Sequence, residues 1–145
     1  MPAELASAVV GVGVDAVDVD RFRRLLRRRP GLAGRLFTDG ERADVAATAD
    51  PAERLAARFA AKEATMKALG SGIGAFALRD VEVVRAGGQG ATRGAPSLRL
   101  SAAAARLADE RRVTRWHVSL THTATVAMAV VVAEGEPEAE HPAPS

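Results

Sequence analysis

The segment from Asp50 to Gly72 most constrains the fold, because it carries the start and stop signals of one long helix. An N-cap residue, a proline at the first helical position and an acid three residues after the cap stand in the order Asp50-Pro51-Ala-Glu53. Apolar side chains then recur at roughly helical spacing, and Gly70-Ser-Gly72 ends the pattern. The sequence therefore predicts a central helix over about residues 51–69.

Shorter signals on both sides of this helix predict an α+β domain. The apolar run from Val9 to Val14, with Gly11 and Gly13 inside it, is typical of a buried strand with close backbone neighbours. Further helices are expected behind the capping residues Asp18, Thr38 and Ser101, at about residues 19–29, 39–47 and 102–111, and further strands at about residues 79–85, 97–100, 116–120 and 125–133.

The length and composition of the chain favour one domain and exclude several kinds of site. A chain of 145 residues suits a single domain, which we place at residues 1–134, and the Glu-, Pro- and Ala-rich segment 135–145 is predicted to be a disordered tail. The absence of cysteine excludes disulfides and thiolate metal sites and fits a reducing cytoplasm. No signal peptide or membrane span is expected, because no basic region precedes the first apolar run and Asp15 interrupts it early.

Both lysines of the chain lie in one six-residue window of the central helix, on either side of Glu63. The other basic side chains are all arginine, so the placement of Lys62 and Lys67 is distinctive. A compact ammonium on a flexible stem can follow a moving phosphate oxygen better than a planar guanidinium can. One acid between two ammonium groups, on a helix that ends in glycine, indicates metal-assisted phosphate chemistry.

Two pairs with i,i+4 spacing divide this window into neighbouring helix faces. Glu63 and Lys67 share one face, where they could form an ordinary surface ion pair. Arg58 and Lys62 share the next face, and two stacked cations destabilise a helix unless an anion lies between them. A bound phosphate is the economical explanation of this like-charged pair, and a solvated face is the alternative.

Asp15 stands at the end of the first predicted strand and is a candidate metal ligand. A rigidly held, partly desolvated carboxylate suits Mg²⁺, which takes one or two protein carboxylates and fills its other positions with water and phosphate oxygens. The residues alone leave a second interpretation equally open, in which Asp15 caps the following helix.

His122 and a basic stripe are two further candidate sites. His122 lies in a turn between two strands, where it can contact a phosphate or a base or be a plain turn residue. Arg21, Arg24 and Arg28 form one helical stripe in a segment, residues 18–29, that holds six Arg against two Asp. Such a stripe is most often a solvated face, but it can also dock an acidic protein or nucleic acid.

Short motifs recur in a fixed order from about Val9 to Glu134. The most specific is Arg58-Phe-Ala-Ala-Lys62-Glu63-Ala-Thr-Met-Lys67-Ala-Leu-Gly70. The others are Gly13-Val-Asp15-Ala-Val-Asp18-Val-Asp-Arg21, Phe37-Thr-Asp-Gly-Glu41, Asp80-Val-Glu-Val83, Gly94-Ala-Pro96 and Val118-Ser-Leu-Thr-His122-Thr123. This set resembles the bacterial holo-[acyl-carrier-protein] synthases, the small trimeric 4'-phosphopantetheinyl transferases. Two departures are Asp18, where the family usually has Glu, and Val126, where many members have an aromatic residue.

The resemblance implies a fold, an activity and a set of partners. The implied fold is that of the 4'-phosphopantetheinyl transferases, with a long central helix and further helices packed on an antiparallel-rich sheet, assembled as a homotrimer with active sites between subunits. The implied reaction moves 4'-phosphopantetheine from coenzyme A to a serine of apo-acyl carrier protein, with Mg²⁺ as cofactor and adenosine 3',5'-bisphosphate as product. A cytoplasmic protein is expected, with neither nucleic acid nor a membrane as a partner.

Carried over by position, the resemblance also assigns roles to the candidate residues. Asp15 and Glu63 would bind Mg²⁺ and, together with Lys67, would be the catalytic residues; whether Glu63 or a water at the metal takes the serine proton stays open. The stripe of Arg21, Arg24 and Arg28 would receive the acidic helix of the carrier. The residues expected at coenzyme A are Arg58, Lys62, Lys67, Gly70, Pro96 and His122.

Two rival functions remain at this point. A non-catalytic module that binds coenzyme A or another nucleotide would keep Arg58, Lys62 and His122 but would not need both Asp15 and Glu63. A nucleic-acid-binding protein could use the arginine-rich helix, but it would leave the two lysines unexplained.

Overall fold

The computed structural model describes residues 7–72, 74–85 and 94–136. Helices and strands alternate irregularly along these segments, as expected for an α+β domain. The elements are β1 (Ala8–Asp18), α1 (Val19–Arg28), α2 (Leu32–Leu36), α3 (Asp39–Ala46), α4 (Pro51–Ala68), a single 3₁₀ turn (Leu78–Asp80), β2 (Val81–Arg85), β3 (Pro96–Leu100), α5 (Ala102–Glu110), β4 (Val113–His122) and β5 (Val126–Gly135).

Helix α4 begins and ends at the signals that the sequence carries. The Asp50 carboxylate accepts a hydrogen bond from the Glu53 amide at 3.3 Å, and Pro51 takes the first helical position. At the other end Gly70 adopts a φ of 65°. The Gly70 amide donates to the Lys67 carbonyl at 3.0 Å and the Ser71 amide donates to the Met66 carbonyl at 3.3 Å. This pair of bonds is a Schellman motif, in which glycine avoids the cost of a left-handed conformation.

The shorter helices also follow local capping chemistry. Asp18 accepts from the Arg21 amide at 2.7 Å and thereby caps α1. Thr38 and Glu41 form a reciprocal capping box at the start of α3. Ser101 precedes α5 but makes no side-chain capping bond. Two of these three predicted caps are therefore confirmed.

The strands form two antiparallel sheets. The larger has the order β1-β5-β4, and the smaller pairs β2 with β3. In the larger sheet Asp15 lies opposite Ala129 of the central strand, and Ala129 lies opposite Leu120 of β4. The order places the first and last strands side by side, so β1 is held by a segment that is distant in sequence.

Helix α4 lies unusually close to β1. A Cβ added to Gly13 would stand 1.8 Å from the Ala64 carbonyl oxygen, and one added to Gly11 would stand 1.8 Å from the carbonyl oxygen of Ala68. The expectation that these glycines mark close backbone neighbours is confirmed. Alanines on the facing side of α4 complete a thin interface, since Ala60, Ala61, Ala64 and Ala68 are buried beneath the sheet.

Only one face of the larger sheet is covered by α4. Its other face, here called the outer sheet face, carries Val12 and Val14 of β1 and Met128 and Val130 of β5, all exposed in the single chain. The side chains alternate along each strand, so these four lie opposite the alanine-rich side. The part of the outer sheet face formed by β1 and β5 is therefore apolar and exposed in the single chain.

The predicted fold class is confirmed, and the differences are local. Helix α2 was not predicted, because a five-residue helix offers too short a pattern to recognise. Strand β5 includes Gly135, one residue beyond the predicted domain boundary, while the predicted turn at Gly87–Gly90 and the tail beyond Glu136 lie outside the described residues. Within the described part of the chain, no helix is long and apolar enough to cross a membrane.

Candidate active site at the crossing of β1 and α4

Asp15 lies on β1 on the side that faces α4, and it does not cap a helix. The cap of α1 is Asp18, three residues later, which frees the Asp15 carboxylate for another role. This carboxylate is mostly buried, in line with its position near the helix. Of the two interpretations that the sequence left open, the capping one is wrong.

Lys67 reaches from α4 to the end of β1 instead of pairing along its own helix. Its Nζ donates to the Val14 carbonyl at 2.9 Å and to Asp15 Oδ1 at 3.2 Å, with the side chain 55% exposed. Among the described residues it makes no ion pair with Glu63. The intrahelical pair suggested by the spacing is therefore replaced by a contact between strand and helix.

Glu63 is a half-buried carboxylate that forms no ion pair with any cation in the described segments. In the described part of the chain its side chain has no hydrogen-bond partner. Burial, followed by the neighbouring Asp15 charge, raises the pKa of the Glu63 carboxyl above its usual value, and Lys67 only partly opposes this. Two carboxylates that repel each other across one crossing point form a place where a cation is electrostatically favoured.

These carboxylates open into a pocket of about 460 Å³ that has two kinds of wall. Asp15, Asp18, Arg21 and Glu63 contribute charge. Phe22, Leu25 and Phe59 contribute apolar surface. The pocket can therefore hold a charged group beside the carboxylates and an apolar group against helix α1.

The donor set at this crossing fits a hard cation that keeps most of its own ligands. In the segments that the structure describes, no group of three or more His, Asp and Glu side chains could enclose a metal. Two carboxylates alone match the habit of Mg²⁺, which binds one or two carboxylates and completes its octahedron with water and phosphate oxygens. A closed structural metal site would need more protein ligands.

Lys62 does not lie at this pocket, and the structure corrects its predicted role. Its side chain is 0% exposed, and its Nζ donates to Glu41 Oε1 at 2.6 Å, to the Leu78 carbonyl at 3.0 Å and to the Val81 carbonyl. Burial lowers the pKa of Lys62, and Glu41 opposes that effect. Because all three ammonium donors are used inside the protein, a phosphate contact from Lys62 does not agree with this structure.

Arg58 is buried in the same way. Its side chain is 1% exposed, its Nη2 bonds to Asp44 Oδ2, and its Nη1 reaches the Arg54 carbonyl at 3.5 Å. Burial lowers the pKa of Arg58, against the opposing charge of Asp44. The prediction of a phosphate contact is therefore corrected for Arg58 as well: carboxylates from α3 neutralise the two stacked cations where a bound phosphate was expected.

His122 lies at the end of β4, beside the start of α4. Its Nδ1 is 2.9 Å from Glu53 Oε1, and the ring is 44% exposed. It is separated from Asp15 by the width of β5 and by two residues along the strands, which puts their Cα atoms about 12 Å apart. One chain thus brings together Asp15, Glu63 and Lys67 but not His122.

The two other residues predicted to contact coenzyme A, Gly70 and Pro96, lie on separate elements. Gly70 follows Lys67 at the end of the helix, next to the guanidinium of Arg111. Pro96 begins β3, opposite Arg85, and so belongs to the smaller sheet. Gly70 and Pro96 are distinguished by their backbone positions, and neither carries a charge that could identify a ligand on its own.

The predicted basic stripe is exposed along α1. Arg21, Arg24 and Arg28 form no ion pair with any other described residue, whereas Arg23 between them bonds to Asp20 at 2.6 Å and to Asp50 at 2.5 Å. The stripe therefore presents cations that the described part of the fold does not neutralise.

Three acidic partners were missed by the sequence analysis. Glu41 was recognised only as part of a capping box, and Asp44 and Glu53 were not connected with the cations that they bind. Each partner lies on an element distant in sequence from its cation. The one available signal was the burial expected on the apolar side of α4, which implies a carboxylate for every cation placed there.

Comparison with known proteins shows which family this chain resembles. The sequence model of the 4'-phosphopantetheinyl transferase superfamily matches residues 11–131. A holo-[acyl-carrier-protein] synthase of Frankia alni is 54% identical over 127 residues, which cover 88% of this chain and 98% of that protein.

Two solved structures of similar proteins have the same fold. The holo-[acyl-carrier-protein] synthase of Neisseria meningitidis has a TM-score of 0.74 at 33% identity, covering 87% of this chain and 98% of that one. A Bacillus anthracis enzyme of the same name, in complex with coenzyme A (3',5'-ADP), has a TM-score of 0.70 at 32% identity, covering 90% and 99%. The chain belongs to the 4'-phosphopantetheinyl transferase superfamily, among its holo-[acyl-carrier-protein] synthases.

Proposed function

We propose that this protein transfers 4'-phosphopantetheine from coenzyme A to a serine of apo-acyl carrier protein. The observation that carries the proposal is the group formed by Asp15, Glu63 and Lys67 at the crossing of β1 and α4 in a member of this family. Two carboxylates and one ammonium at the edge of an open pocket suit a reaction at a pyrophosphate. A module that only binds a nucleotide has no need for two carboxylates that repel each other.

In the proposed reaction the nucleophile comes from the partner. The serine Oγ of the carrier attacks the β-phosphorus of coenzyme A, forming a P–O bond. The bond from that phosphorus to the bridging oxygen of the pyrophosphate breaks, and adenosine 3',5'-bisphosphate leaves with the electron pair. The serine proton passes to a carboxylate oxygen of Glu63, which lines the pocket.

Asp15 and Glu63 would hold Mg²⁺ in this enzyme. When bound, the ion supplies positive charge that neutralises the pyrophosphate. Lys67 would place its ammonium within reach of the same oxygens, because the Val14 carbonyl and Asp15 hold it beside one of the two carboxylates. The ammonium then stabilises the charge that develops on the transferred group.

Coenzyme A would lie along the second half of α4. We assign its phosphates to Lys67 and His122, and its nucleotide end to Gly70 and Pro96. The Bacillus anthracis relative, crystallised with coenzyme A (3',5'-ADP), supports coenzyme A as the substrate. Arg58 and Lys62 have no part in this assignment, since their donors face inward.

Helix α1 would dock the carrier. The cations of Arg21, Arg24 and Arg28, which have no ion-pair partner among the described residues, suit an acidic helix, and electrostatic attraction of this kind acts mainly on the encounter rate. The apolar wall of the pocket, formed by Phe22 and its neighbours, would receive an apolar side chain of the carrier beside the reacting serine. Charge and apolar contact together would place that serine at Glu63.

A trimer would bring the separated parts of the site together. The outer sheet face is apolar and exposed in the single chain, which favours its burial against another copy. His122 lies about 12 Å from Asp15 within one chain. We therefore assign each active site to the Asp15 and Glu63 of one subunit and the His122 of its neighbour. The absence of cysteine is consistent with the cytoplasm as the place of action.

The deciding experiment incubates the protein with apo-acyl carrier protein, coenzyme A and Mg²⁺ and follows the mass of the intact carrier. The expected product is a carrier heavier by one phosphopantetheine group, formed together with adenosine 3',5'-bisphosphate and abolished by EDTA. A carrier whose reacting serine is replaced by alanine is the matched control. Binding of coenzyme A with no change in the mass of the carrier would instead support the non-catalytic module.

A further inference from the structure

The ion pair between Glu53 and His122 joins two ends of the fold that are distant in sequence. Glu53 lies in the first turn of α4, and His122 is the last residue of β4. His122 Nδ1 stands 2.9 Å from Glu53 Oε1, which is an ion pair when the ring is protonated. The carboxylate is the less exposed partner, at 22% against 44% for the ring, so the acid is part of the support and the ring is the accessible group.

Glu53 is free to make this contact because another acid caps the helix. Asp50 caps the helix by accepting from the Glu53 backbone amide at 3.3 Å, and among the described residues the Glu53 carboxylate does not accept the reciprocal hydrogen bond of a capping box. Asp50 is itself held by Arg23 at 2.5 Å, which ties the first turn of α4 to α1. The Glu53 backbone is therefore held by its bond to Asp50, and Asp50 is held in turn by Arg23.

The backbone of His122 is fixed in a similar way. The hairpin between β4 and β5 is closed by Thr123, whose amide donates to the Val126 carbonyl at 2.8 Å. The Thr123 hydroxyl accepts from the amides of Thr125 and Val126 at 3.2 Å and 3.1 Å. With the backbone and the carboxylate both held, the remaining freedom of the ring is its rotation, and the ion pair with Glu53 restricts that rotation.

We propose that Glu53 is a positioning residue, which holds the His122 ring so that Nε2 is the nitrogen presented to a phosphate of coenzyme A. With Nδ1 directed at the carboxylate, only Nε2 remains available, and in the doubly protonated ring Nε2–H donates to a phosphate oxygen while Nδ1–H faces Glu53. Among the described residues, Nε2 of His122 has no partner. The proposal rests on the proposed function, which assigns His122 to a phosphate of that substrate.

The test combines two residues in one thermodynamic cycle. The KM for coenzyme A and the KM for the carrier are measured for His122→Ala, Glu53→Ala and the double variant. We expect His122→Ala to raise the KM for coenzyme A about tenfold and Glu53→Ala to raise it several-fold, with little change in the KM for the carrier. The double variant should match His122→Ala alone, because Glu53 acts through the ring.

Two further variants separate positioning from folding. Glu53→Gln keeps an oxygen that can accept from Nδ1–H, so it should retain most of the affinity for coenzyme A. Asp39→Ala is the matched control, because it also removes an acid from the first turn of a helix, α3. Its KM values should equal those of the unmodified protein. In ¹⁵N spectra of the ring, His122 should show a protonated Nδ1 in the unmodified protein and a changed tautomer balance in Glu53→Ala.

The possible failures are distinct. If His122→Ala weakens coenzyme A binding but Glu53→Ala does not, or if their effects add in the double variant, the positioning role is wrong and the proposed function stands. If His122→Ala leaves the KM for coenzyme A unchanged while the carrier is still modified, the phosphate role of His122 is wrong, and the positioning role falls with it. If the carrier is not modified at all, the proposed function itself fails.

Discussion

At Glu63, the stability of the fold and the proposed function favour opposite charge states of the carboxylate. Burial and the Asp15 charge raise its pKa, and Lys67 is turned towards the end of β1. An acid with a raised pKa in the folded state adds stability below its ordinary pKa and loses that contribution as the pH rises through the raised value. At neutral pH the ionised Glu63 therefore destabilises the metal-free protein, while the proposed metal site and the proposed base both require it ionised.

Replacing Glu63 by Gln should separate these two demands. Without Mg²⁺ at pH 7, Glu63→Gln should melt roughly 1–4 °C above the unmodified protein, because the repulsion with Asp15 is gone. The difference should shrink as the pH falls and Glu63 becomes protonated. Turnover should drop at least about 100-fold. Glu110→Gln, on the exposed end of α5, is the control and should change neither quantity. High residual turnover at saturating Mg²⁺ would contradict the assignment of Glu63.

The two lysines give a matched pair of substitutions with opposite outcomes. Lys62→Met leaves Glu41 buried without its cation, which should cost about 3 kcal/mol of the free energy of unfolding or more. Lys67→Met removes a largely exposed contact worth at most about 1 kcal/mol, but it should lower turnover strongly. Urea unfolding and the carrier assay together measure both effects. If Lys62→Met were as stable as Lys67→Met, the buried role of Lys62 would be wrong.

At the scale of residues, the sequence could predict which side chains share a helix face but not what each face meets. The i,i+4 spacing placed Arg58 with Lys62 and Glu63 with Lys67 because helical geometry is local. The carboxylates that neutralise the buried pair stand 14 and 21 residues away, so their contacts depend on how α3 packs on α4. That packing depends on contacts throughout the core, and no local sequence pattern predicts it.

At the scale of elements, the crossing of β1 and α4 depends on the absence of two side chains. The Asp15 carboxylate and the Lys67 ammonium can meet only because Gly11 and Gly13 let the strand backbone approach the helix backbone. The candidate site is therefore built by the spacing of two elements: Asp15 stands two residues after Gly13, and Glu63 and Lys67 each directly precede an alanine whose carbonyl meets a glycine.

A methyl group at residue 13 should therefore disrupt the fold and the site together. In Gly13→Ala the new Cβ would lie 1.8 Å from the Ala64 carbonyl oxygen, so the strand and the helix must move apart. We expect a loss of about 3 kcal/mol or more, at or above the upper end of ordinary overpacking, because backbone has to shift. Gly31→Ala, where nothing lies within 4 Å, is the control and should change stability by less than about 0.5 kcal/mol. Thermal unfolding compares them, and equal effects would contradict the tight crossing.

The elements themselves were largely predictable because their end signals are local. Asp50 with Pro51, Thr38 with Glu41, and Gly70 each fix a helix end through bonds within a few residues. The pairing of β1 with β5 was not predictable in the same way, since it joins the two ends of the described chain. Helix α2 carried too few residues to produce a pattern.

At the scale of the whole molecule, the fold buries the inner face of its larger sheet and leaves the outer sheet face apolar. Val12 is 59% exposed in the single chain, with Val14 and two side chains of β5 beside it. Burying such a surface against another copy is favoured by the hydrophobic effect. The same assembly would place the His122 of one subunit near the carboxylates of the next, which one chain alone does not do.

Mixing two defective variants tests whether the active site is shared between subunits. A Glu63→Gln chain keeps His122, and a His122→Ala chain keeps Glu63, so a mixed ring contains some complete sites. With random assembly from equal amounts, about a quarter of the sites in a closed ring should be complete. Activity at low coenzyme A should therefore exceed the mean of the two variants measured separately. Light scattering before and after subunit exchange would establish that a trimer is present.

The control introduces Val12→Glu into both chains of the mixture. A charge on the outer sheet face should prevent assembly, so the mixture should contain monomers and show no recovery of activity. Because residue 12 is exposed in the single chain, the substitution should leave the monomer folded. Trimers that exchange subunits without any recovery would place Glu63 and His122 of each site in the same subunit. Recovery in the Val12→Glu mixture would show that assembly does not use the outer sheet face.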